Sequence, residues 1–199
     1  QKVKAEGILV LVDWDHPNNS TARPDGLAKF SEVFGDEVLF THEDASVNRE
    51  AGEAAREMFL QARSEGICRY RIAGAYRTAD YQEQLFQIRR AKDPTYGTDP
   101  YNNPVKVLPG NVSEHTTGLA LDILSENHNI ANEAYADTPE AKWLEANAYK
   151  FGFILRYPEG KQHITGVIFE PWHYRFVGKK TAYEMCERGL CLEEYVYCP

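Results

Sequence analysis

The chain has 199 residues, 43% hydrophobic and 26% charged, which suffices to bury an apolar core as one domain without a covalent staple. A net charge of -8 with no run of Lys or Arg argues against nucleic acid or an anionic membrane surface as partner, because both need clustered cations. No stretch approaches the roughly 20 apolar residues of a membrane-spanning helix, and no signal peptide is visible.

In chain order, Ile8 to Val12 is an apolar run of strand length, followed by a Pro-, Asn- and Asp-rich loop from Asp13 to Gly26. Asn48 to Gly66 predicts a helix, with Ala51, Ala54, Ala55, Met58, Phe59 and Ala62 at helical spacing and Gly66 as its stop. Arg69 to Tyr76 predicts a short strand. Thr78 or Asp80 is placed to cap the next helix, which runs to about Arg90 on the apolar set Leu85, Phe86 and Ile88. Asp93 to Asn111 holds four prolines and predicts a long irregular stretch of the kind that often carries function. Leu119 to Ile123 alternates as a strand does, with Leu119, Leu121 and Ile123 on one side and Ala120 and Asp122 on the other. Thr138 to Phe151 predicts a helix with Trp143, Leu144 and Ala148 inward. Gly152 to Tyr157 and Gly166 to Phe169 predict neighbouring strands joined by a turn at Glu159-Gly160, and Lys180 to Gly189 a final helix. Strands and helices do not alternate as βαβ units. The expected fold class is α+β, a central antiparallel sheet with helices packed to one side.

Four cysteines, Cys68, Cys186, Cys191 and Cys198, permit two disulfides in three pairings or four free thiols; we expect an oxidising, secreted setting. No C-x-x-C pair suggests a structural zinc site. Gln1 in place of Met is expected of a trimmed product.

Two segments hold most of the chemical signal. Asp122 is a carboxylate inside an apolar strand, costly unless paired or bound to metal. His115 precedes the same strand, and His173 lies in a second strand-like segment among aromatics. Two imidazoles and a carboxylate leave a fourth tetrahedral position open, the pattern of catalytic rather than structural zinc. Zinc lowers the pKa of the water it binds to about 7, and Glu170 is the best candidate for the base that takes the proton. An unbroken strand would place Glu170 and His173 on opposite faces. Pro171 cannot join a central ladder, so a bend there is expected to bring both to one site. Singly, each residue has a plainer reading: His115 as a hydrogen-bonded structural group, Asp122 as a turn cap or arginine partner, and Glu170 to His173 as a sheet edge.

Ser113-Glu114-His115-Thr116-Thr117-Gly118-Leu119-Ala120-Leu121-Asp122 resembles the S-x-H-x-x-G-x-A-x-D zinc motif of VanY-type D-alanyl-D-alanine carboxypeptidases, relatives of lysostaphin-like and hedgehog-fold zinc domains. Glu170-Pro171-Trp172-His173-Tyr174-Arg175-Phe176-Val177-Gly178 resembles the second family motif, and Gly152 to Pro158 the stretch between them. Ala73-Gly74-Ala75-Tyr76-Arg77-Thr78 is similar to the upstream S-G-Y-R-S, with Ala75 as a departure. Leu11-Val12-Asp13 through His16-Pro17 is similar to L-V-N-x-x-H-P.

The resemblance implies one zinc ion per chain held by His115, Asp122 and His173, with Glu170 as general base and acid. It further implies Arg77 on the scissile carbonyl, and Ser113 and Gln82 against the substrate. His16, His42, His128 and His163 match no ligand position. Arg156 and Tyr157 are candidates to line the cleft.

The implied organisation is a single zinc carboxypeptidase domain over 1–199, with 1–50 as leading segment and loops and 67–178 as catalytic core. The implied activity is removal of the terminal D-alanine from peptidoglycan stem peptides, outside the cytoplasm, by a monomer. An L,D-carboxypeptidase, a peptidoglycan endopeptidase and a non-catalytic zinc-fold binding module are the alternatives.

Overall fold

The computed structural model describes residues 7–20, 22–40 and 45–197. His42 and Cys198 therefore lie outside the described residues. Its frame is a five-stranded sheet in the order β2-β4-β5-β7-β6, from β2 (Leu39–Phe40), β4 (Tyr70–Gly74), β5 (Ala120–Ser125), β6 (Phe153–Leu155) and β7 (His173–Phe176). Every neighbouring pair is antiparallel except the β2 edge, which runs parallel to β4. A second, two-stranded ladder pairs β1 (Leu27–Lys29) with β3 (Ser46–Asn48). The α+β expectation holds, with a parallel edge that was not expected.

β5 and β7 explain the division of labour between the two sheet faces. Every residue of both strands is buried, so neither face is solvated. Leu121 and Ile123 of β5, with Tyr174 and Phe176 of β7, point into the main apolar core. Asp122, His173 and Arg175 alternate onto the other face, as the period of a strand requires. The core face is covered by α2 (Arg49–Ser64) and α4 (Pro139–Asn147).

α2 starts where Asn48 Oδ1 accepts from the Ala51 amide at 3.2 Å, and its inward side is Ala51, Gly52, Ala55, Met58, Phe59 and Ala62. Those small residues let the helix lie close: a Cβ on Gly52 would stand 2.8 Å from Val47 and 2.9 Å from Val33. Burying a side chain such as Phe59 or Met58 contributes about 1.5–3 kcal/mol each.

α3 (Ala79–Arg90) begins at Thr78, whose Oγ1 accepts from the Tyr81 amide; of the two candidate caps, Thr78 is the one used. Ile88 of its expected apolar set is exposed. The helix expected over Thr138 to Phe151 is α4 followed by a 3-10 turn, Ala148–Phe151.

Two expectations are corrected, and the choice between disulfides and free thiols is answered for the described cysteines. Ile8 to Val12 is not a strand: Gly7–Leu9 is a 3-10 turn, and the carbonyls of Ile8 and Val10 accept from the Arg175 guanidinium instead of a ladder. Gly166 to Phe169 is not the partner of β6. It makes a single parallel bridge, Val105 to Val167, after the short helix α5 (Gln162–Thr165), and β6 pairs with β7. Disulfides are not formed by the described cysteines: Cys68, Cys186 and Cys191 are free, and the Cys68 thiol is engaged with Glu140 at 2.8 Å.

Two helices close the C-terminal side. α6 (Lys179–Arg188) stops at Gly189 as expected, and α7 (Leu192–Tyr197) follows, unforeseen from the sequence. Both pack with Leu11 and Ile154 in a second apolar cluster. Among the described residues no helix is long and apolar enough to cross a membrane.

Candidate metal centre and cleft

The strand register sets the site. Asp122 in β5 lies directly opposite His173 in β7, so their side chains emerge side by side on one face. His115 arrives from a 3-10 turn, Glu114–Thr117, that ends at Gly118 with φ +74. That left-handed turn suits glycine, and a Cβ there would also stand 2.5 Å from Leu27. One ligand atom from each of His115, Asp122 and His173 lies within 4.8 Å of the others.

Each imidazole is aimed by its second nitrogen. His115 Nδ1 lies 2.7 Å from the Ala75 carbonyl, which makes it the donor and turns the Nε2 lone pair toward Asp122 Oδ2, 3.3 Å away. His173 presents Nδ1 to Asp122 Oδ1 at 3.1 Å, and its Nε2 faces Glu114.

The electrostatics agree. Burial, then the Arg77 charge, pushes His115 down and keeps it a neutral donor of its lone pair. Burial works against the charge of His173, yet the bond to Asp122 and the facing carboxylate of Glu114 prevail and hold it up at about 9. Burial also opposes ionisation of Asp122, but His115, His173 and Arg77 keep it well below the usual carboxylate range. Two imidazoles and an ionised carboxylate suit a zinc ion.

Glu170 reaches this centre through a turn. The His173 amide donates to the Glu170 carbonyl at 3.0 Å, so Pro171 and Trp172 form the bend before β7. The Glu170 carboxylate then stands 3.6 Å from His173 Nδ1. Burial pushes its pKa up to about 8 against the pull of His173.

Arg77 lies on the far side of Asp122. Its Nη2 donates to Asp122 Oδ2 at 2.7 Å and its Nη1 to Gln82 Oε1 at 3.1 Å. A bulge in β4 between Ile72 and Gly74 aims this segment, and Gly74 admits it: a Cβ there would stand 2.3 Å from both Arg77 Nη2 and Asp122 Oδ2.

Gln82 is engaged at both ends, since its Nε2 also donates to the Leu108 carbonyl at 2.9 Å. It orients Arg77 from within the cleft wall. Ser113 is buried and lines the same cleft.

The cleft is a cavity of about 430 Å³ with Arg77, Gln82, Ser113, His115, Asp122, Glu170 and His173 on its walls. All seven residues expected at the site thus meet there. Tyr157 also lines it, its ring centroid 4.8 Å from that of His173, while Arg156 is sealed behind it. His16 is elsewhere, bonded to Asp13 in the loop after Val12.

Sequence reasoning passed over Lys106, which lines the cleft with its ammonium 4.5 Å above the Trp172 ring. It also passed over Glu114 and Arg175, fully buried beneath the metal centre. Arg175 was findable, because two residues after His173 in a strand means the same face. Lys106 lies in an irregular stretch with no period to betray it.

A polar centre of this donor set, at the base of a cleft with a raised glutamic acid beside it, is that of a zinc-dependent carboxypeptidase. The family model for VanY, D-alanyl-D-alanine carboxypeptidase, matches residues 44–179. A putative carboxypeptidase of Bacillus subtilis, YodJ, is 38% identical over 202 residues, covering 96% of this chain and 67% of the relative.

The LdcB LD-carboxypeptidase structure superposes with a TM-score of 0.82 at 35% identity, covering 94% of this chain and 85% of that one. The D,D-pentapeptidase VanY of a VanB-type resistance cassette, solved with Zn(II), gives 0.73 at 30%, covering 96% and 99%. The chain belongs to the VanY family of D-alanyl-D-alanine carboxypeptidases, and zinc is its cofactor.

Proposed function

We propose that the chain removes the C-terminal D-alanine from peptidoglycan stem peptides outside the cytoplasm. The observation that carries this reading is Glu170, a buried carboxyl raised to about 8, on the cleft wall 3.6 Å from His173 and across from Arg77.

His115, Asp122 and His173 hold the zinc, which when bound polarises the scissile carbonyl and acidifies a water. A Glu170 carboxylate oxygen accepts the proton released by the attacking water and returns it to the nitrogen of the departing amine. Burial opposes ionisation of Glu170, and a cation held by His115, Asp122 and His173 would favour the carboxylate form. Arg77, held by Asp122 and Gln82, points a guanidinium at the carbonyl oxygen as negative charge grows there.

Substrate class follows from the lining. Arg77, Arg89, Lys92 and Lys106 all face the cavity of a chain whose net charge is -8. Such a local excess of cations suits a peptide that ends in a free carboxylate.

The test is release of free D-alanine from a muramyl pentapeptide by zinc-loaded protein, beside Glu170→Gln. Turnover by the parent, reduced about 100- to 10,000-fold in the variant with zinc retained, supports the reading. One observation favours a second reading: the LdcB LD-carboxypeptidase superposes with the higher TM-score, 0.82 against 0.73 for the VanY structure. Release from tetrapeptide but not pentapeptide would move the assignment to L,D specificity. Silence on both would sink the carboxypeptidase reading and send crosslinked peptide to the assay.

A further inference from the structure

The family match begins at residue 44 and ends at 179. Segments outside that span nevertheless reach the polar layer directly behind the metal centre. From the N-terminal side, the Ile8 and Val10 carbonyls accept from Arg175 Nη2 at 2.9 and 2.7 Å. From the C-terminal side, Glu193 of α7 accepts two bonds from Arg156, at 2.9 and 2.6 Å. Arg156 and Arg175 are fully buried, and both donate to the same oxygen of Glu114, Oε1, at 2.7 Å each.

The other oxygen of Glu114 is different. Among the described residues Oε2 is buried without a hydrogen-bond partner, and so is Nε2 of His173. The two atoms face each other at 3.7 Å. Buried polar atoms are nearly always paired, so two complementary orphans in opposition point to one interaction that an approach of about half an ångström completes. The two arginines saturate Oε1 and thereby fix the plane of the carboxylate, leaving Oε2 for the imidazole.

We propose that Glu114 is the positioning residue for His173, accepting from Nε2 so that Nδ1 is turned to the metal, and that Glu193 in α7 keeps Glu114 free for this task by occupying Arg156. Zinc affinity is then set partly by a helix beyond the family match. The inference rests on His173 as a zinc ligand. Partners in this position orient a ligating imidazole and raise its basicity. The four side chains balance, two guanidinium groups against two carboxylates. Without Glu193, Arg156 keeps one acidic partner only and draws both oxygens of Glu114 to itself, away from His173.

The first measurement is nitrogen-15 histidine NMR on the zinc-loaded parent. A His173 proton on Nε2 is expected; a proton on Nδ1 overturns the proposal without any variant being made. The second is zinc affinity by competition with a chromophoric chelator, for the parent, Glu114→Gln, Glu193→Gln and Tyr195→Phe. Tyr195 lies in the same helix and its hydroxyl donates to Glu184 at 2.6 Å, outside the network.

Affinity about 10- to 100-fold weaker in Glu114→Gln and Glu193→Gln, with Tyr195→Phe unchanged, is the expected result. Equal weakening in all three signals general damage to α7 and defeats the proposal, as does unchanged affinity in a folded Glu193→Gln. Should Glu193→Gln not fold, the parent spectrum and Glu114→Gln still decide. A parent that takes up no zinc fails at the metal centre itself, a separate and recognisable outcome.

Discussion

Two clusters of ionisable side chains lie back to back on one face of the sheet, meeting where His173 faces Glu114. The deeper one, Glu114, Arg156, Arg175 and Glu193, is sealed from solvent and balanced in charge. The outer one, His115, Asp122, His173, Glu170 and Arg77, opens to the cleft, and the ligand atoms of His115, Asp122 and His173 lie within 4.8 Å of one another. The sealed cluster spends its hydrogen bonds on itself and on the backbone. The open cluster is held from behind by the Ala75 carbonyl and by Gln82, and its working atoms face one another and the cleft. The difference separates a group that holds a fold from one that holds a ligand.

The contrast breaks most severely at Arg156. Arg156→Met leaves Glu193 without its guanidinium partner and Glu114 with Arg175 alone, which costs about 3–5 kcal/mol. Denaturant unfolding should show the loss, and a melting temperature roughly 10 °C lower should accompany it. A melting point within a degree of the parent would mean that the sealed cluster contributes nothing to the fold.

The open cluster should respond in rate and not in stability. In Arg77→Lys the ammonium cannot serve Asp122, Gln82 and a carbonyl oxygen at once. A fall of about 100- to 1,000-fold in kcat is expected, with melting unchanged to within about 1 kcal/mol. Equal kcat in the two proteins would remove Arg77 from the reaction.

Gly74→Ala sharpens the comparison further, because it alters only the room around Arg77 and Asp122. Its methyl would stand 2.3 Å from atoms of both, so the pair must shift. A shift near 1 Å at a reacting centre costs about 100-fold, which D-alanine release would reveal.

The smallest effect lies outside both clusters. Burial raises the Glu194 pKa, but the bonds from Lys161 and from the Cys191 amide together outweigh it and the net shift is downward. A carboxylate depressed in the fold contributes stability above its usual value near 4.5 and loses it as pH falls through the lowered value. Glu194→Gln should therefore flatten the acid limb of the stability profile below about pH 4.5, by under 1 kcal/mol, and leave neutral pH turnover alone. An unchanged acid limb would show the pair to be idle.

The site was legible in the sequence because two short rules apply to it. Alternation through Leu119 to Ile123 isolates Asp122 on the face away from the core, and Pro171 forces the bend that lets Glu170 and His173 share a site. Both hold in the structure. Ile8 to Val12 defeats the same reasoning, since its apolar pattern is that of a strand while its carbonyls are claimed by Arg175, more than 160 residues away. Glu193 is invisible for the same cause: an acidic residue in a short amphipathic helix signals a solvated face, and only the tertiary fold presses it against Arg156.

The register of Asp122 with His173 bears on how the metal is released. Both belong to the inner strands of the sheet, whose amides exchange with solvent only through the largest openings of a protein. His115 is carried by a four-residue turn outside the ladder. Two ligands therefore stay together through any local fluctuation short of global unfolding, and the third is the hinge. A zinc ion held by these three residues would lose His115 first, and the rate of its loss would report the opening of that turn rather than the stability of the sheet.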